Sequence, residues 1–219
     1  MDTFCHKNGK LEEGCKIMIY FYSGTPGSGK SLHAAKDIYD KLLRKKQGVI
    51  ANFPINEKIL KRKRRGKFTY VSNFEATPEF FIEYATKNHK QGKEGQTLVV
   101  IDECQILFNP RTWNNKDRLK WIEFFTQHRK WGYNFIMISQ FDKLVDKQIR
   151  SLFEYEVKHR KANNFSILAM VPVKVFVAVT VWYGVKEKIG SEFFIFKKKY
   201  SNLYNSYKNF KEKEVEENE

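Results

Sequence analysis

The sequence contains a complete G-x-x-x-x-G-K-[S/T] pattern in Gly24-Thr25-Pro26-Gly27-Ser28-Gly29-Lys30-Ser31. Residues 16–23, directly before it, form a short apolar run that is typical of a buried strand, and residues 31–45 after it carry apolar side chains at helical spacing. A strand, a glycine-rich turn and a helix in this order predict a loop whose backbone N–H groups bind phosphate. The alternative is a glycine-rich turn with an incidental lysine.

The residues of this loop have separate predicted roles in binding ATP and Mg²⁺. Lys30 would bridge the β- and γ-phosphates of ATP, and the Ser31 hydroxyl would be a ligand of Mg²⁺. The backbone of the remaining positions would surround the phosphates, and these positions are Gly24, Thr25, Pro26, Gly27, Ser28 and Gly29. We therefore expect ATP and Mg²⁺ as cofactors.

A second apolar run, residues 97–101, ends in two acids, Asp102 and Glu103. Ligands of open α/β sheets bind at the carboxyl ends of the strands, so both acids are expected to face the phosphate loop. Asp102 would hold Mg²⁺ through a water molecule, and Glu103 would polarise the water that attacks the γ-phosphate. The separation between Lys30 and Asp102 leaves room for an inserted strand, as in hydrolytic, motor-type P-loop proteins. This pattern predicts an ATP hydrolase.

Further polar side chains could complete the catalytic site. Gln140 ends the next buried strand and is expected beside Glu103, where it could contact the γ-phosphate or the attacking water; the alternative is a polar residue at a strand exit. An arginine from a neighbouring subunit often stabilises the transition state of phosphoryl transfer. The candidates are Arg111, Arg129 and Arg150, and each could instead form a surface ion pair.

Strand and helix patterns alternate up to about residue 160. Predicted strands cover 16–23, 47–53, 68–71, 97–101, 134–139, 152–157 and 193–196, and predicted helices cover 31–45, 78–88 and 117–131. The pattern predicts an α/β fold of the P-loop NTPase type, with a mainly parallel, doubly wound sheet and helices on both faces. The predicted divisions are an ATPase core (1–160), a β-rich C-terminal extension of the same domain (161–210) and a charged tail (211–219).

One stretch, residues 166–185, is apolar enough to be mistaken for a membrane span. Pro172 and Lys174 interrupt it, and its second half is rich in β-branched and aromatic residues. Two strands joined near Pro172 are the better interpretation. Residues 1–16 are polar and contain no signal-type apolar run. We therefore expect a cytoplasmic protein without a transmembrane helix.

The charge balance favours an anionic partner. A formal net charge of +15 is compatible with nucleic acid, an acidic membrane surface or a highly charged ligand, although lysine can also serve solubility alone. The basic segment 58–67, which contains the run 61–65, is predicted to be exposed. The three cysteines form no C-x-x-C pair, which indicates neither a disulfide framework nor a zinc site. His128 and His159 are predicted to be surface or packing residues, and Trp113, Trp121 and Trp131 core or interface residues.

Together these motifs resemble the zonula occludens toxin-like (Zot) family, the assembly ATPases of filamentous phages. The resemblance extends from the phosphate loop to residues 100–105, 108–111, 128–133, 138–140, 148–152 and 193–196, with Tyr200 and Tyr204 beyond them. It implies a motor related to hexameric DNA-pumping ATPases that acts in phage assembly and extrusion at the inner membrane. It also implies that Gln140 is a sensor and that one arginine acts across a subunit interface. Family members typically continue into a transmembrane helix and an external domain, whereas this chain stops at Glu219.

Three functions follow as expectations. The first is an ATP-driven motor on single-stranded phage DNA, assembled as a homo-oligomer such as a hexamer, with residues 61–67 against the DNA backbone. The second is a nucleotide-switched scaffold that binds phage coat or export proteins. The third is a peripheral protein at the inner face of the host membrane, with the basic run on anionic lipid.

Overall fold

The computed structural model describes residues 6–7, 10–11, 18–61, 64–111, 115–162 and 174–204. The strands are β1 His6–Lys7, β2 Lys10–Leu11, β3 Ile19–Ser23, β4 Gly48–Ala51, β5 Phe68–Tyr70, β6 Thr97–Ile101, β7 Tyr133–Ile138, β8 Tyr155–Lys161, β9 Val175–Trp182 and β10 Lys188–Ile195. The α-helices are α1 Lys30–Asp40, α2 Pro78–Asn88, α3 Asn115–Thr126, α4 Lys147–Arg150 and α5 Lys198–Leu203. Short 3₁₀ turns cover Glu57–Ile59 and Asp142–Leu144.

Eight of these strands form one sheet in the order β10-β9-β8-β3-β7-β6-β4-β5. The six strands from β8 to β5 are parallel, while β9 and β10 continue the sheet in antiparallel fashion. This confirms the predicted α/β fold with a mainly parallel sheet. The carboxyl ends of β3, β6 and β7 lie at one edge, so the loops that follow these strands meet there.

Both faces of the central strands β3, β6 and β7 are buried, which explains why these strands are almost entirely apolar. Alternate residues of β6 belong to different cores: Val99 packs with α2 and α3, and Val100 packs with α1. Phe81 of α2 is fully buried and sits among the rings of Trp121, Phe124, Tyr133 and Phe135. Burial of each such side chain stabilises the fold by about 1.5–3 kcal/mol. This cluster therefore stabilises the packing of α2 and α3 on the sheet.

Several predicted boundaries are corrected by the structure. Helix α3 ends at Thr126 rather than at residue 131, because residues 127–132 form turns that lead into β7, and Gly132 adopts a positive φ of 78°. Strand β8 covers Tyr155–Lys161 rather than 152–157, because antiparallel pairing with β9 continues to Lys161 while Leu152 still closes the turn after α4. Strand pairing therefore overrides the local sequence pattern at β8, whereas a turn ends α3 earlier than its pattern predicts.

The basic segment is less open than predicted. Arg65 is half-buried and forms an ion pair with Glu57 at 2.6 Å, and Gly66 is buried. Residues 62–63, the predicted turn near Pro172, Trp113, Cys5, Cys15 and the tail 211–219 lie outside the described residues. In the described part of the chain, no helix has the length and apolar character that crossing a bilayer requires.

Candidate nucleotide-binding site

The phosphate loop connects the carboxyl end of β3 with the first turn of α1. Gly24, Gly27 and Gly29 all have positive φ angles, of 139°, 75° and 99°. A Cβ at Gly24 would lie 2.6 Å from the carbonyl oxygen of His159, and one at Gly29 would lie 2.7 Å from the Phe176 ring. Glycine is therefore required at these two positions by both backbone conformation and space.

The Lys30 ammonium lies inside the loop. Its Nζ donates to the carbonyl oxygens of Gly24 at 2.6 Å and Thr25 at 3.2 Å. Burial lowers the pKa of Lys30, and the nearby Asp102 and Glu103 carboxylates oppose that shift. The structure thus brings the loop lysine and both predicted acids into one electrostatic cluster.

Asp102 is fixed by four hydrogen bonds. Asn52 accepts from the Asp102 N–H and donates to the Asp102 carbonyl oxygen, both at 2.8 Å. The Glu103 N–H donates to Oδ1 at 2.9 Å, and the Tyr204 hydroxyl donates to Oδ2. Burial raises the pKa of Asp102, and the Tyr204 hydrogen bond opposes this rise. The carboxylate therefore has a defined orientation at the edge where the loop lies.

Glu103 adopts a left-handed backbone conformation with φ of 48°. Gln105 donates from Nε2 to Glu103 Oε2 at 2.5 Å, and Glu103 is half-buried. Such a conformation is uncommon for a residue with a side chain and is often retained at functional sites. The turn after β6 thus directs Glu103 differently from a regular strand exit.

Gln140 follows β7 by two residues and lies beside the phosphate loop. Its carbonyl oxygen accepts the Gly24 N–H at 3.3 Å. The segments that follow β6 and β7 are also linked, because the Cys104 N–H donates to the Ile138 carbonyl oxygen at 2.9 Å. The segments that follow β3, β7 and β6 are therefore adjacent. The role of Gln140 as a sensor stays a prediction.

A cavity of about 390 Å³ opens over the loop. Besides loop residues and Leu32, it is lined by six residues near or beyond the end of β8, which are Lys161, Lys174, Phe176, Phe196, Ser201 and Tyr204. The two lysines are exposed, and Lys174 Nζ lies 5.8 Å from the centroid of the Phe196 ring. Sequence reasoning missed this wall, because nothing local connects these strands with the loop.

The side chains around the phosphate loop fit Mg²⁺ shared with a nucleotide. Mg²⁺ is usually bound through one or two carboxylates together with substrate phosphates rather than by an all-protein cage. Asp102 supplies an oriented carboxylate, Ser31 lies in the first turn of α1, and the Ser28 hydroxyl is buried without a hydrogen-bond partner. The described residues contain no cluster of three or more histidine, cysteine or acidic side chains that could hold a metal.

Comparison with known proteins places this chain in a family. A family model described as "Zonular occludens toxin (Zot)" matches residues 18–211. The chain belongs to the Zot family. The Gene 1 protein of Enterobacteria phage fd is 30% identical over 159 residues, which cover 69% of this chain and 44% of that protein. The chain thus spans less than half of the length of this curated relative.

Solved structures share the fold of this Zot-family chain. The N-terminal domain of zonular occludens toxin from Neisseria meningitidis aligns over 87% of this chain and 100% of its own, with a TM-score of 0.56 and 20% identity. The genome packaging NTPase B204 from Sulfolobus turreted icosahedral virus 2, in complex with AMPPCP, aligns over 83% of this chain and 97% of its own, with a TM-score of 0.50 and 15% identity. The fold is that of the P-loop NTPases.

The candidate arginines of the Zot-family chain do not contact its own phosphate loop in the described structure. Arg129 precedes β7, at the sheet edge opposite the loop, and donates to both carboxylate oxygens of Glu154 at 3.1 Å. Arg150 lies 3.8 Å from Asp142, and Arg111 is exposed in the turn after Asn109. A catalytic role for Arg129 would therefore require a second copy of the chain, and it stays a prediction.

A buried histidine pair lies behind the loop of this Zot-family chain and was not predicted. His33 Nδ1 and His159 Nε2 are 2.8 Å apart, and His159 Nδ1 donates to the Ser23 carbonyl oxygen at 3.2 Å. Burial lowers the pKa of His159 well below its usual value, and His33 adds to this effect. His128 is also buried, so both predicted histidines are packing rather than surface residues.

Proposed function

We propose that this chain is a Mg²⁺-dependent ATP hydrolase that acts as a motor or assembly factor in filamentous phage morphogenesis and extrusion. The observation that carries the proposal is that Lys30, Asp102 and Glu103 lie near one another at the carboxyl edge of the sheet, close enough for both carboxylates to act on the Lys30 ammonium. A phosphate loop alone predicts only nucleotide binding, whereas acids at this position would supply the metal ligand and the water activator that hydrolysis uses. The acid pair is therefore what favours hydrolysis.

Each residue has a role in this proposal. The backbone N–H groups of residues 24–31 and the Lys30 ammonium bind the β- and γ-phosphates. Ser31 and Asp102 would hold Mg²⁺, which neutralises phosphate charge when it is bound. Glu103 orients a water molecule and accepts its proton as that water attacks the γ-phosphate. Gln140 reports whether the γ-phosphate is present.

The proposed load is single-stranded phage DNA. The net charge of +15 supports a polyanionic partner, and B204, with the same fold, is described as a genome packaging NTPase. Since the chain spans under half of the phage fd relative, the activity of the whole protein is part of this proposal. We further propose a homo-oligomer such as a hexamer, in which Arg129 or Arg150 completes the site of a neighbour.

The place of action in this proposal is the cytoplasmic side of the host inner membrane. There the motor would contact phage coat or assembly proteins, and peripheral contact with anionic lipid would be compatible with its positive charge. Liposome flotation tests this last element, since a protein that does not partition with anionic vesicles would act at the membrane only through a partner.

An ATPase assay of the purified chain tests the proposal. We expect Mg²⁺-dependent hydrolysis that single-stranded DNA stimulates, and a loss of about 100-fold in Lys30→Ala because the phosphates lose their cation. Lys90→Ala is the matched control, since Lys90 is exposed before β6 at the opposite sheet edge. Wild-type turnover in Lys30→Ala would refute the ATPase assignment, while turnover without DNA stimulation would favour the scaffold function.

Oligomerisation is tested separately with Glu103→Gln, which should bind ATP without turnover. Size-exclusion chromatography of this variant with ATP should show a larger species than without nucleotide. A monomer under both conditions would remove the role of a neighbouring arginine.

A further inference from the structure

The Tyr204 hydroxyl contacts the acid at the centre of the site. It donates a hydrogen bond to Asp102 Oδ2 although the two residues are far apart in the sequence. The ring of Tyr204 stacks on Phe53, with centroids 3.7 Å apart and planes at 23°. Only 6% of the Tyr204 residue is exposed, so this contact is shielded from water.

The segment that carries Tyr204 is itself docked on the core. Leu203 is 1% exposed, and its carbonyl oxygen accepts the Asn56 N–H at 2.9 Å. One turn earlier, the ring of Tyr200 lies edge-on against that of Tyr39 on α1, with centroids 5.5 Å apart. Helix α5 therefore holds Tyr204 between α1 and the turn after β4, where Tyr204 also lines the cavity over the loop.

The hydrogen bond leaves the carboxylate able to bind a further partner. Oδ1 accepts the Glu103 N–H, and Oδ2 accepts the Tyr204 O–H. Each carboxylate oxygen has two lone pairs, so both oxygens keep acceptor capacity for metal-bound water. Rotation of the carboxylate would break both hydrogen bonds at once. Partners of this kind orient a metal-binding side chain from outside the metal's own ligand set.

We infer that Tyr204 is a positioning residue whose hydroxyl holds Asp102 in the orientation that binds Mg²⁺ with the nucleotide. Metal binding then depends on α5 remaining docked, which couples the end of the described chain to the catalytic centre. This inference rests on the proposed function, since it presupposes that Asp102 binds Mg²⁺. If Tyr204 instead blocked the carboxylate, removal of its hydroxyl would lower the Mg²⁺ concentration needed for nucleotide binding, whereas our inference predicts that it rises.

Tyr204→Phe removes the hydroxyl and keeps the ring that stacks on Phe53. The measurement is the affinity for a fluorescent ATP analogue, titrated with Mg²⁺ and repeated in EDTA. We expect the Mg²⁺ concentration for half-maximal binding to rise about tenfold, as is usual when such an orienting partner is lost. Affinity in EDTA should stay within about twofold of wild type, because the phosphate loop is intact. Tyr200→Phe is the control, since it alters a buried tyrosine of α5, the helix that directly precedes Tyr204.

A double-mutant cycle separates positioning from general damage. In an Asp102→Asn background, Tyr204→Phe should cause no further change in Mg²⁺ dependence, whereas a structural defect would add to it. An unchanged or lower Mg²⁺ requirement in the single variant Tyr204→Phe overturns the inference. Wild-type protein that binds nucleotide without any Mg²⁺ dependence overturns the inference and the metal role together. Wild-type protein that binds Mg²⁺ and ATP but does not hydrolyse ATP refutes only the proposed hydrolase.

Discussion

The side chain of Asn52 continues the hydrogen-bonding ladder between β4 and β6 at the point where both strands end. It accepts from the Asp102 N–H and donates to the Asp102 carbonyl oxygen, each at 2.8 Å. Because β4 and β6 are parallel neighbours, Asn52 lies beside Asp102 as soon as the strands pair. The direction in which Asp102 and Glu103 leave the sheet therefore depends on Asn52, a residue to which we assign no direct role in ATP binding or hydrolysis.

We expect Asn52→Ala to impair hydrolysis more than nucleotide binding. The Asp102 N–H and carbonyl oxygen would lose their partner, which lowers the free energy of unfolding by about 1–3 kcal/mol and releases the acid turn. ATPase kinetics, nucleotide titration and chemical denaturation measure the three effects. Asn73→Ala is the graded control, because Asn73 contacts Asn52 at 2.8 Å but not Asp102. Normal turnover in Asn52→Ala would show that the two hydrogen bonds between Asn52 and the Asp102 backbone do not orient the acids.

The phosphate loop and the acid pair were predictable because each is encoded locally, as an apolar strand followed at once by its polar residues. Asn52 and Tyr204 were not, since they are single residues of common types whose roles arise only when distant strands pair and α5 docks. For the same reason the contacts of Arg129 could not be predicted, and the placement of Gln140 beside Glu103 stays a prediction. Strand order determines which exits are neighbours, and no local pattern encodes that order.

The left-handed backbone of Glu103 predicts that this position limits stability. We expect Glu103→Gly to raise the free energy of unfolding by about 1 kcal/mol relative to Glu103→Ala, since only glycine relieves the strain at φ 48°. Both variants lose the carboxylate and its contact with Gln105, so their difference isolates the backbone. Neither should hydrolyse ATP. Equal denaturation midpoints for the two variants would mean that the turn relaxes without cost.

The two lysines of the cavity wall predict a preference for ATP over ADP. Lys161 and Lys174 form no ion pair within the described residues, so an additional phosphate would gain two cations beyond Lys30. We expect each alanine substitution to weaken ATP binding about threefold, as for exposed charge pairs, and ADP binding less. Lys188→Ala and Lys197→Ala are controls, because these lysines of the same extension do not line the cavity. Equal losses for ATP and ADP would place the lysines away from the terminal phosphate.

His128 predicts a loss of stability in mild acid. Its Nδ1–H donates to the Phe125 carbonyl oxygen, while Nε2 is buried without a hydrogen-bond partner. Burial lowers the pKa of His128 from 6.5 to about 4, and the charge of Arg129 adds to this shift. Glu154 lies 4.0 Å from Nε2 but is already paired with Arg129, which limits its help to a protonated ring. The folded protein therefore keeps His128 neutral where the unfolded chain protonates it.

The direction of this pH dependence follows from the number of protons that the folded and unfolded states bind. Below the unfolded pKa of 6.5, the unfolded state binds a proton at His128 that the folded state does not. The contribution of His128 to stability is therefore fully present above pH 6.5 and is lost as the pH falls towards 4. His128 alone should lower the free energy of unfolding by about 2 kcal/mol between about pH 7.5 and about pH 5. Denaturation of wild type and His128→Gln at both pH values measures this, and the variant should lose less on acidification. His89 and His159, whose pKa values are also lowered, leave a residual dependence in both proteins. Equal losses on acidification in wild type and variant would mean that the folded protein accommodates the protonated ring of His128.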